Sequence, residues 1–106
     1  MISEYISPEL YGAKETKLYN VIPPNSVILS IVVDVLNAKT GTVTLQTESV
    51  DSEDASRILF IDYINGIGTH TGNSAKEYFI SNQNLMVKNT GEVSFKIKIL
   101  FWEVNK

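Results

Sequence analysis

Pro23-Pro24-Asn25-Ser26-Val27-Ile28-Leu29-Ser30-Ile31-Val32-Val33-Asp34-Val35-Leu36 is a proline-marked turn feeding the longest β-branched run of the chain. Val27, Leu29, Ile31, Val33 and Val35 recur at every second residue, the period of a strand and not of a helix. The stretch is expected to be the central strand, with that set on its core face. Val93 to Val104 repeats the device, with Val93, Phe95, Ile97, Ile99 and Phe101 aligned on one face. Two long strands therefore supply most of the apolar surface, and the other segments read as shorter strands and turns hung on them.

Upstream, Thr16 to Ile22 reads as a first strand, closed by Pro23-Pro24, which cannot continue a ladder. Residues 1–15 hold no sustained period and carry Pro8 and Gly12, so they are expected to form an irregular N-terminal arm ahead of a single domain over 16–106. Ile2, Tyr5, Ile6, Leu10 and Tyr11 make the arm too apolar for a solvated tail. It packs either on its own domain or on a neighbouring subunit.

Downstream, the Asn37 to Gly41 loop leads into Thr42 to Glu48, where Val43, Leu45 and Thr47 alternate against Thr42, Thr44, Gln46 and Glu48. That is the mark of a half-buried antiparallel strand, and a hairpin with the central strand is expected. Ser52 to Arg57 could wind one helical turn with Ser52 as its N-cap. Ile58 to Ile64 is a short, β-branched and aromatic run stopped by Asn65-Gly66, and Gly66 to Asn73 is a loop with at most a short strand. Lys76 to Ser81 and Asn84 to Asn89 complete the set, with Tyr78, Ile80, Leu85 and Val87 inward. Seven or eight short strands with Gly, Asn and Pro turns predict an all-β fold, an antiparallel β-sandwich of jelly-roll-like type or a closed barrel.

A chain of 106 residues fits one domain, and its apolar content of 43% is enough for a core without staples. A net charge of −3 gives no basic field for phosphates, so no nucleic-acid partner is expected. The apolar runs are strand length, which argues against a membrane span. The absence of cysteine removes disulfides, thiolate zinc sites and thiol nucleophiles together.

Little in the chain announces chemistry. His70, in Gly68-Thr69-His70-Thr71-Gly72, has no nucleophile or orienting partner indicated by spacing and reads as a polar loop residue. Lys39-Thr40-Gly41 matches a tripeptide of penicillin-recognising serine enzymes, but the companion Ser-x-x-Lys is missing. Glu48, Asp51, Glu53 and Asp54 offer hard oxygen ligands to calcium without the spacing of an EF-hand. Tyr63, Tyr78 and Trp102 could form a stacking platform for surface glycans, the alternative reading of a carbohydrate-binding module. No enzyme activity and no cofactor are expected.

One feature exceeds a minimal sandwich. On the other face of the last strand, Ser94, Lys96 and Lys98 give way to Leu100, Trp102 and Val104; the second face of the central strand carries Ile28, Val32 and Leu36, broken by Ser30 and Asp34. Either the arm or a long loop covers this surface, or it is a subunit interface, since aromatic anchors such as Trp102 are favoured there. With the arm residues Tyr5, Ile6 and Tyr11, these form the candidate assembly set of a symmetric homo-oligomer, a trimer being favoured.

The strand pattern resembles small β-sandwich modules among the structural proteins of tailed-phage virions, of head-fibre, decoration or tail-attachment type. The resemblance is carried by Val21-Ile22-Pro23-Pro24-Asn25-Ser26 running into the central strand, by Gly41-Thr42-Val43-Thr44-Leu45-Gln46-Thr47, by the acidic Asp51-Ser52-Glu53-Asp54-Ala55 before Ile58-Leu59-Phe60, and by the final Val-, Ile- and Lys-rich strand. Gln46 stands where such modules commonly have glycine. The resemblance implies a non-enzymatic virion component that presents a stable surface and docks, with other virion proteins, onto a symmetric shell or tail.

Overall fold

The two long apolar strands lie side by side at the centre of one sheet, each burying one face. The computed structural model describes residues 2–49, 57–74, 78–80 and 83–104. In chain order the strands are β1 (Ile2–Ile6), β2 (Leu10–Tyr11), β3 (Glu15–Leu18), β4 (Ser26–Val35), β5 (Thr40–Ser49), β6 (Ile58–Asn65), β7 (Gly68–His70), β8 (Asn73–Ser74), β9 (Tyr78–Ile80), β10 (Gln83–Asn89) and β11 (Ser94–Glu103). They form two packed antiparallel sheets. The first runs β1-β11-β4-β7, with β2 also on β11 and β9 also on β4; the second runs β3-β10-β5-β6-β8.

The core is made where the inner faces meet. Ile31, Val33 and Val35 of β4 and Phe95, Ile97, Ile99 and Phe101 of β11 face Val43 and Leu45 of β5, Leu59, Phe60 and Ile64 of β6, and Leu85 and Val87 of β10. The buried polar side chains of Thr47, Ser26 and Asn89 are paired, as burial demands. The Thr47 hydroxyl accepts from the Arg57 N–H at 3.0 Å, the Ser26 hydroxyl donates to the Pro23 carbonyl at 2.8 Å, and the Asn89 amide donates to the Val93 carbonyl at 2.9 Å.

Three expectations are corrected. The first concerns the arm, which is regular: β1 pairs along its length with β11, from Ile2 opposite Trp102 to Ile6 opposite Lys98, and β2 continues that edge with Leu10 opposite Phe95. Between them Ser7 keeps the ladder closed although Pro8 follows it. Its N–H donates to the Ile97 carbonyl at 2.9 Å and its hydroxyl accepts the Ile97 N–H at 2.8 Å.

The second correction concerns the face of the central strand. Phe101 lies opposite Ile28 and Leu100 opposite Ser30, so Leu29 is one residue too many on β4, a β-bulge. An extra residue reverses the in–out alternation, because the side-chain period is two. Ile31, Val33 and Val35 keep the expected inward face; before the bulge Ile28 is fully buried, while Val27 and Leu29 are only half-buried.

The third correction concerns the expected hairpin of β4 with β5, which does not form, since the two strands belong to different sheets. The chain crosses between the sheets at Asn37, whose Oδ1 accepts the N–H of Lys39 at 3.4 Å and of Ser94 at 3.0 Å, and whose amide donates to the Glu92 carbonyl at 3.1 Å. The β10–β11 connection crosses beside it. Gly41 and Gly91 touch there, and a Cβ on Gly91 would collide with the Thr40 carbonyl oxygen. The first expected strand also ends early, at Leu18, because Asn20 and then Asn25 take the left-handed conformation (φ 62° each) that turns the chain from one sheet to the other.

Candidate assembly surface

The ladder registers place side chains on the outer face of the first sheet in rows that run across the strands. Ile2 lies opposite Trp102, Trp102 opposite Val27, and Val27 opposite Phe79. Four apolar residues from β1, β11, β4 and β9 thus stand in one line, with Ile2 56%, Trp102 44% and Phe79 49% exposed. That much exposure leaves the line open to water along most of its length. The next rows read Glu4–Leu100–Ser30 and Ile6–Lys98–Val32, then Lys96–Asp34–Thr69, where the Thr69 hydroxyl donates to Asp34 at 2.8 Å. The face therefore passes from an apolar row to an ionic one, beyond which Tyr11 and Leu36 are exposed beside Ser94.

Of the residues expected on an assembly surface, Trp102, Leu100, Val32 and Ile6 share this face. Val104 is exposed just past the end of β11, where its N–H donates to the Asn25 carbonyl at 3.1 Å. Leu36 and Tyr11 are exposed at the far end, flanking Ser94: Tyr11 is opposite Ser94 and the Leu36 N–H donates to the Ser94 carbonyl. Ile28 leaves the set, because the bulge turns it into the core. Tyr5 leaves it too. Opposite Ile99 it points inward and packs on the core, and burial pushes its hydroxyl up from the ordinary tyrosine value.

Ile2, Val27 and Phe79 were not expected on this face. Phe79 had a readable signal, since inward Tyr78 and Ile80 force the residue between them outward. Val27 had none, because a bulge leaves no trace in the hydrophobic period.

The other candidates are dispersed. Tyr63 stands on the outer face of the second sheet, Tyr78 packs against the core with the Arg57 guanidinium 5.7 Å from its ring centre, and Trp102 is on the outer face of the first sheet. These three aromatics share no platform. Glu48 is bonded to Lys17 at 3.1 Å and to the Tyr19 hydroxyl at 3.1 Å, while Asp51, Glu53 and Asp54, like the expected turn over 52–57 for all but Arg57, lie outside the described residues. His70 bridges the open edge of the sandwich from β7 to β6. One ring nitrogen meets the Gly66 carbonyl at 2.8 Å and the other stands 3.5 Å from Asp62.

No family model matches the chain, and no curated protein matches it either.

Proposed function

We propose that the chain is a non-enzymatic structural module of a virion, a jelly-roll-type sandwich that serves as a decoration or attachment protein. It works by presenting a rigid surface and by assembling with copies of itself and with other virion proteins through the outer face of the first sheet. The observation that carries this reading is the apolar line Ile2–Trp102–Val27–Phe79. Contiguous apolar surface of this kind on a small domain marks a site that another surface covers, and a central Trp is a favoured anchor. The virion setting rests on the resemblance of the strand-and-turn pattern to phage modules.

Incorporation tests it. Phage particles lacking the chain are mixed with the purified protein or with Trp102→Glu, banded on a gradient, and the bound chain is quantified. The unaltered protein should sediment with particles at a constant copy number, and the variant should bind at least ~30-fold more weakly, the loss expected of a hot-spot residue. An unaltered protein that stays at the top of the gradient would refute the virion setting.

A further inference from the structure

We infer that the outer face of the first sheet is the packing face for a second copy of this chain, the two sheets stacking about a two-fold axis that runs along the strands between β11 and β4. The inference rests on the assembly part of the function proposed above and names its partner. A face that packs against its own copy must be self-complementary under the symmetry operation. Around this axis each row meets itself in reverse order.

The outermost rows satisfy that condition, while between them Leu100 falls over the partner's Ser30 and Lys98 over the partner's Val32. With strand order β1-β11-β4-β9 at the apolar end, Ile2 falls over the partner's Phe79 and Trp102 over the partner's Val27, so the exposed line is covered by its own mirror sequence. At the other end, Lys96 and Asp34 are cross-strand neighbours. Under the same operation Lys96 falls over the partner's Asp34, and Asp34 over the partner's Lys96, a square of four charges alternating in sign. An axis lying across the strands through the Lys98 row would set Trp102 on the far row of Tyr11 and Leu36, but it would also set Lys98 over its own copy and Leu100 over the partner's Lys96, opposing like charges at the centre of the face. Charge and apolarity thus select the axis along the strands, and with it a dimer in place of the trimer favoured on sequence grounds.

The area fits a weak dimer. Along the apolar line four strands about 4.8 Å apart, over six steps of about 3.4 Å along β11, bound a face of roughly 20 by 20 Å. Its flat area of about 400 Å² is about half of the ~800 Å² per partner of a standard interface, so the association is expected to be concentration-dependent. Stacked sheets with closely aligned strands are the arrangement already used inside the sandwich type.

The full-length chain is measured by size exclusion with light scattering over a concentration series. A dimer is expected, at least ~30-fold weaker in Trp102→Glu and unchanged in Tyr63→Glu, whose site lies on the other sheet. Because the chain has no cysteine, single cysteines report the geometry. Two copies of Ser30→Cys would lie roughly 11 Å apart across the axis, within reach of a short bismaleimide, and should crosslink as a dimer; Thr44→Cys on the second sheet should not. Lys96→Glu should weaken the dimer, and Lys96→Glu with Asp34→Lys should restore it. A dimer that Trp102→Glu leaves intact, or that crosslinks through Thr44→Cys and not Ser30→Cys, overturns this face while leaving assembly standing. A monomer at every concentration that still joins particles overturns the two-fold packing but not the virion role; a dimer of the stated geometry that never joins particles does the reverse.

Discussion

The two sheets share one core and expose two different outer faces. On the second sheet, the exposed apolar residues Ile58 and Tyr63 lie along a single strand, β6, and Tyr63 is flanked across the ladder by Thr42. The neighbouring strands carry ion pairs, Lys17 with Glu48 at 3.1 Å and Lys88 with Glu15 at 4.0 Å. On the first sheet the apolar residues run across four strands instead of along one. The first pattern breaks apolar surface into pieces that water can surround. The second joins it into a continuous patch, and continuity rather than the number of exposed apolar residues is what distinguishes a docking face from an ordinary one.

That contrast depends first on which side of β4 is inside, and a pair of substitutions tests it with the largest effect. Ile28→Ala should cost about 2–5 kcal/mol, the range for truncating a buried isoleucine. Val27→Ala should cost under about 1 kcal/mol, since it removes two methyl groups from a partly exposed strand position. Urea unfolding with an unchanged m-value measures both. A strand without the bulge would give the opposite order, and the apolar line would then lose Val27 from its middle.

The contrast depends next on β4 and β5 belonging to different sheets, which the paired crossings at Gly41 and Gly91 secure. Gly91→Ala places a Cβ against the Thr40 carbonyl oxygen and should cost about 1–3 kcal/mol, the usual range for overpacking. Unfolding of this variant at the wild-type midpoint would mean that the crossings can separate freely, and that the sheets are less firmly assigned than their hydrogen bonds indicate.

How much of this was legible is clear from particular residues. Phe95, Ile97, Ile99 and Phe101 were readable because an unbroken period of two fixes a face, and Leu85, Val87 and Ile80 for the same reason. The outward Leu100 and Trp102 followed by parity. The bulge at Leu29 was not readable, because an inserted residue leaves an apolar run looking the same from either side. Nor was the crossing at Asn37: a short loop with a terminal glycine suits a hairpin, and only the contact with Gly91, distant in sequence, sends it to the other sheet. β1 was missed because its alternation is inverted, with Ile2 and Ile6 outward and Ser3 and Tyr5 inward, so its apolar residues give no core face at period two.

The smallest effect belongs to the face expected to stay in water. On the second sheet the Lys17 ammonium, bonded to both Glu48 oxygens, holds that carboxyl below the usual carboxylate range, and the Tyr19 hydroxyl adds to the effect. A lowered carboxyl value stabilises the fold above the unfolded-state value, and the gain is lost as pH falls through the lowered one. Lys17→Met should therefore melt slightly below the wild type at neutral pH. The two curves should converge in acid, and the neutral-pH gap should shrink in high salt, because an exposed pair is screened. Self-association should be the same in both proteins. If Lys17→Met instead changed the mass in solution as strongly as Trp102→Glu, the ionic face of the second sheet would also be a contact surface, and the distinction between continuous and interrupted apolar surface would not separate docking faces from wetted ones in this protein.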